Sequence, residues 1–189
     1  MKVFVQGDRD AIGIEECAKQ LATTFAEKGI EVNLGAYGKL VEIFLAAGVK
    51  ATCHEHRGKK GSRAQGQIVD CEQLLAGVGI SAEQRATAAW GLRLGLLLSS
   101  DAFVFFPGQE GTLAHLLPAI AHASKGDPKP VALLGWEGNS LFAPLKSLLF
   151  PLLCNLNHVP PWLNSFRSDQ VDDVISFLQE IDEQIRNPA

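Results

Sequence analysis

The 189-residue chain has only four cysteines, Cys17, Cys53, Cys71 and Cys154, and no two of them form a Cys-x-x-Cys pair. Thiols scattered in this way suit a reducing cytosol better than a disulfide framework. No apolar run is long enough to span a bilayer, and the N-terminus lacks the charged and apolar regions of a secretory signal. These absences predict a cytoplasmic protein with no membrane association. Basic residues are outnumbered by acidic ones, 17 to 21. The net charge of −4 argues against broad binding to nucleic acid or to anionic lipid. No internal repeat or low-complexity segment interrupts the chain. What remains is an ordinary globular composition, 47% hydrophobic and 20% charged, and enough length for one domain over residues 1–189 with a full core.

Hydrophobic periodicity orders that domain. Lys2 to Val5 predicts a strand that stops at Gln6-Gly7-Asp8, with Asp10 as the cap of a helix carrying Ile14, Cys17, Leu21 and Phe25. A second strand over 31–34 ends at the turn Gly35-Ala36-Tyr37-Gly38. A helix over 39–47 and a strand over 49–53 follow. The opening fifty residues thus read βαβαβ, which implies a parallel sheet with right-handed crossovers. Residues 54–67 form a polar, Gly-rich loop, and helical pattern resumes near Asp70 to Leu75. Ser81 is placed to cap a long helix reaching Ser99. A helix over 112–124, a strand over 129–134, an apolar helix over 141–154 and a final amphipathic helix capped by Ser168 or Asp169 complete the reading. The predicted fold is α/β: a Rossmann-like, doubly wound parallel sheet in three layers.

The stretch richest in chemical information is Asp101 to His115, DAFVFFPGQEGTLAH. Ala102 to Phe106 is an unbroken apolar run, as expected of a parallel strand covered on both faces. Pro107 and Gly108 stop it, Gly111 permits unusual or close backbone, and Thr112 is a good N-cap for the next helix. Strand, tight turn and helix start together aim backbone N–H groups and a positive helix end at one spot, where a phosphate fits.

Pro107-Gly108-Gln109-Glu110-Gly111-Thr112 resembles the P-G-G-x-G-T-x-x-E signature of the Lonely Guy family of phosphoribohydrolases, long misnamed lysine decarboxylases. Ser100 to Phe103, Lys129 to Leu134 and, more loosely, Gly7 and the turn at 35–38 extend the resemblance over nearly the whole chain. It implies a Rossmann-like nucleotide-binding fold, a homodimer with the 81–99 helix near the interface, and a ligand phosphate on the Gly-rich turn. It also implies hydrolysis of the N-glycosidic bond in nucleoside 5′-monophosphates, to free base and ribose 5-phosphate. The chain departs from the signature where that chemistry is done: His115 stands at the closing glutamate, Ala114 precedes it, and Gln109 replaces the second glycine. The family arginine falls at Leu92, with Arg93 one step off register and Arg85 two turns back. A neutral imidazole does not supply the negative charge that an oxocarbenium-like ribose requires.

Gly7, Asp8, Gly35, Gly38, Arg85, Pro107, Gly108, Gln109, Glu110, Gly111 and Thr112 are therefore the expected ligand-binding residues. His115 and Arg93 are the candidates for catalysis, should any occur. The expected function is binding of a small phosphorylated, nucleotide-like ligand without efficient catalysis. Molybdenum-cofactor carrier proteins resemble the same fold, so a pterin phosphate such as molybdenum cofactor is one expected ligand; no cofactor is required otherwise. A divergent phosphoribohydrolase is the alternative. Cys53-His54-Glu55-His56 has zinc-binding residue types but no signposted further ligand, so no metal site is assigned. Arg57, Lys59, Lys60 and Arg63 suggest a solvated loop or a phosphate-gathering lid. Asp8 and Arg9 point to the ligand edge, as does Trp136 if it flanks a base.

Overall fold

The fold is taken from a computed structural model, which describes residues 1–8, 10–35, 38–55, 67–125, 128–137 and 160–186. Among the described residues, seven strands form one sheet: β1 (Lys2–Gln6), β2 (Glu31–Gly35), β3 (Ala51–Glu55), β4 (Gln67–Asp70), β5 (Ala102–Phe105), β6 (Val131–Leu134) and β7 (Leu163–Phe166). Their order is β4-β3-β2-β1-β5-β6-β7, and every pairing is parallel. The chain winds outward from β1 to β4, then returns to the other side of β1 and winds outward again to β7. The switch between the two directions lies between β1 and β5, where open α/β sheets hold ligands at their carboxyl ends.

Helices cover both faces: α1 (Glu15–Glu27), α2 (Lys39–Ala46), α3 (Cys71–Leu74), α4 (Ala82–Leu98), α5 (Glu110–Ala123) and α6 (Val171–Arg186). Alternation along the strands divides the core between them. Val3, Val5, Val32, Leu34, Val104 and Leu134 pack in one cluster with side chains of α1, α2 and α6. Phe4, Phe103, Phe105 and Leu133 form the other with Leu97 of α4 and Leu116 and Ile120 of α5. β5 and β6 are buried along their whole length, the condition for continuous apolar strands.

Several local expectations are corrected. Asp10 does not cap α1. Its N–H donates to Asp8 Oδ1 (2.8 Å), residues 11–14 are spent in two further turns, and α1 starts at Glu15 after Ile14. Ala11 sits in these turns at φ 56°, a strained value for a non-glycine residue. The α5 N-cap is Gln109 rather than Thr112, and the helix starts at Glu110. Asp169 is ion-paired with Arg167 (3.0 Å), and α6 begins two residues later, at Val171. Two short strands, β4 and β7, were missed. The predicted helix at 141–154, Cys154 and the basic residues of the loop at 57–63 lie outside the described residues. Ser81 does cap α4, with a reciprocal capping box: its Oγ accepts from Gln84 N (3.2 Å) and its N–H donates to Gln84 Oε1 (2.9 Å).

Candidate functional site

The turns after β1 and β5 meet at the switch point and are stitched together by backbone. Asp8 N donates to Pro107 O (3.0 Å), and Phe106 N donates to Gln6 O (2.8 Å). No room exists for side chains at the seam. A Cβ on Gly7 would fall 2.7 Å from Phe106 Cβ. One on Gly108 would overlap Thr112 Oγ1 and lie 2.9 Å from Asp8 N and 3.0 Å from Gly7 C. Glycine at 7 and 108 is therefore a packing requirement, and it holds the start of α5 directly over the end of β1.

Gly111 differs from these. It lies within α5, nothing stands near its Cβ position, and packing does not demand glycine there. Thr112 is 2% exposed with its hydroxyl beneath Gly108, so its side chain belongs to the floor of the turn. Residues 108–111 are exposed. The N–H groups of Gln109, Glu110 and Gly111 donate to no group among the described residues, as expected for the first turn of a helix. The result is an open helix N-terminus at the carboxyl edge of the sheet. Glu110 places a carboxylate in that same first turn. Gly38, the N-cap of α2, sits at φ 105°, a conformation available in practice only to glycine, and borders the same edge.

Arg93 and His115 are brought into one buried assembly. Arg93 is 8% exposed; its guanidinium carbon lies 5.6 Å from the centroid of the Trp90 ring, and a Cβ on Gly35 would stand 3.2 Å from its terminal nitrogen. Burial pushes the Arg93 pKa below its usual value. His115 is 3% exposed, between Trp90 (5.1 Å) and Phe4 (5.8 Å), with Nδ1 2.7 Å from Gly111 O. Neither residue faces open solvent. Arg85 is half-buried, and its Nε is buried without a hydrogen bond among the described residues. Trp136 is a core residue whose indole N–H donates to Phe105 O (2.7 Å).

Sequence reasoning missed a buried polar chain that links β2 and β3 to Ser100, just before β5. His54 Nε2 lies 3.2 Å from Asn33 Oδ1, and Asn33 Nδ2 donates to Ser100 Oγ (2.7 Å). Burial, with Arg93 and Lys2 adding to it, lowers the His54 pKa to about 4. His54 is therefore neutral at physiological pH, and because Asn33 Oδ1 only accepts, its Nε2 carries the proton. The alternation Asn33-Leu34-Gly35, polar on one face of β2, was the available signal. Cys17 and Cys71 are buried, and burial raises both thiols, Cys17 to about 12.

No family model and no curated protein matches the sequence. Solved structures do match in three dimensions. A molybdenum cofactor binding protein from Rippkaea orientalis is 20% identical with a TM-score of 0.58, over 93% of this chain and 94% of that one. The chain shares its fold with molybdenum cofactor carrier proteins. The carrier protein from Chlamydomonas reinhardtii agrees at 16% identity and a TM-score of 0.56, covering 95% of this chain and 98% of that one. The X-ray structure of TM1055 does so at 14% identity and 0.59, covering 95% and 98%. The Rossmann-like architecture expected from the motif at 107–112 is thus the observed one. Among the described residues, no helix is long and apolar enough to cross a membrane.

Proposed function

We propose that this protein binds a small phosphorylated, nucleotide-like molecule at the switch point and does not process it efficiently. The ligand is a nucleoside monophosphate or a pterin phosphate such as molybdenum cofactor. One observation carries the reading: the exposed N-terminus of α5, with the N–H groups of Gln109, Glu110 and Gly111 unengaged among the described residues, is locked against β1 through Gly108. A ligand phosphate there replaces water on those donors and gains from the helix dipole. The fold shared with proteins named for binding or carrying molybdenum cofactor supports the pterin form of the ligand. Gly7, Asp8, Gly35 and Gly38 border the same edge and are assigned to its remaining contacts.

The reading without catalysis follows from His115. A residue 3% exposed, with Nδ1 committed to Gly111 O, is poorly placed to act as a base on a ribose outside the turn. We further assign the protein to the cytoplasm as a homodimer through α4, whose solvent face presents Thr87, Gly91 and Gly95 with open space beside both glycines.

Calorimetric titration with AMP and with a pterin phosphate, alongside chromatography of nucleoside monophosphate digests, tests the proposal. Saturable binding without release of base supports it. Base release above a Gly108→Val control shows hydrolysis instead, and no binding of either ligand refutes the site.

A further inference from the structure

We infer that His115 is a positioning residue that sets the first turn of α5 for an anionic ligand; this deepens the phosphate-binding reading and rests on it. The argument begins with a hydrogen bond whose direction is fixed. Gly111 O is a carbonyl and only accepts, so His115 Nδ1, at 2.7 Å, donates and carries the proton. That carbonyl belongs to the peptide group whose N–H, on Thr112, donates to Gln109 O (2.9 Å). A proton from the imidazole polarises the Gly111–Thr112 peptide and strengthens its bond to the N-cap carbonyl. Two peptide planes of the first turn, those contributing the Gln109 carbonyl and the Thr112 N–H, are thereby held in one orientation. The N–H of Glu110 belongs to the first of these planes, and the peptide that carries the N–H of Gly111 lies between the two.

The imidazole has little freedom to turn. Trp90 of α4 lies 5.1 Å from its ring and Phe4 of β1 lies 5.8 Å away on the sheet side. Trp90 is itself covered by Arg93, whose terminal nitrogen lies 3.2 Å from where a side chain on Gly35 would begin. A continuous set of contacts therefore runs from the end of β2, through Arg93, Trp90 and His115, to the Gly111 carbonyl. Because a carboxylate at 115 would set acceptor against acceptor beside that carbonyl, glutamate there disrupts the turn rather than restoring a catalytic acid.

The test compares His115→Asn with His115→Phe. Asparagine Nδ2 occupies nearly the place of imidazole Nδ1 and keeps the donor while losing packing; phenylalanine keeps the packing and loses the donor. Affinity for AMP and for inorganic phosphate is read by calorimetry, and stability by urea denaturation. We expect His115→Phe to bind roughly fivefold more weakly than wild type. His115→Asn is expected to bind within about twofold despite lower stability. Affinity that follows stability instead of the donor overturns the inference. Equal affinity of His115→Phe and wild type overturns the inference alone, whereas wild type binding neither probe overturns the underlying reading. A second measurement on the wild-type protein is independent of folding of the variants: imidazole nitrogen NMR must show His115 protonated at Nδ1. An Nε2–H tautomer overturns the inference.

Discussion

A methyl group at position 108 is the sharpest perturbation of the site. In Gly108→Ala the new Cβ overlaps Thr112 Oγ1 and approaches Asp8 N to 2.9 Å and Gly7 C to 3.0 Å. Two of these neighbours are backbone of a turn already tied to Pro107 O, so they move only if the β1–β5 seam opens. Overpacking of this kind costs about 1–3 kcal/mol. Removing one obstacle, in Gly108→Ala/Thr112→Ala, relieves the overlap with Oγ1 but leaves both backbone contacts. Urea denaturation of the two single variants and the double variant forms a thermodynamic cycle, with an expected coupling of about 1 kcal/mol between the sites. Phosphate-ligand affinity falls in Gly108→Ala, because α5 is displaced from the switch point. Additive costs, or a Gly108→Ala protein as stable as wild type with unchanged affinity, would refute the reasoning.

Other perturbations address separate parts of the account. Glu110→Gln removes a negative charge from the first turn of α5 and is expected to strengthen AMP binding by roughly two- to fivefold; weaker binding in calorimetry places the phosphate elsewhere. His54, near 4 in the folded state against 6.5 as the ordinary value, takes up its proton first in the unfolded chain. Its contribution to stability is therefore complete above about pH 6.5 and lost as pH falls toward 4, by about 3 kcal/mol at most. His54→Gln should flatten that acid limb in urea midpoints measured between pH 7 and 4.5; an unchanged limb contradicts the assignment. Ser81→Ala breaks the capping box of α4 and should cost about 1 kcal/mol in urea denaturation, leaving ligand affinity unchanged.

The fold was legible where local pattern and burial agree. The apolar runs of β5 and β6 state their own burial on both faces, and Ser81 announced the start of α4. β4 and β7 escaped notice because each has only four residues and an outer place in the sheet, where the neighbouring strand rather than the sequence decides the conformation. Asp10 and Thr112 were read as caps because their residue types favour it. Asp8 captured the Asp10 N–H, and tight packing under Gly108 drew Thr112 into the first turn. In the candidate site, the turn at 107–111 was visible from glycine and proline spacing. The burial of His115 and Arg93 was not, because it depends on Trp90 and Gly35, which come from separate elements.

Amide NMR during titration with AMP tests the central claim most directly. The account predicts saturable shifts concentrated at the N–H groups of Gln109, Glu110 and Gly111, with smaller changes at Gly7, Asp8 and Gly38. Saturable binding whose shifts avoid residues 108–112, or no response there to either AMP or a pterin phosphate, would contradict it.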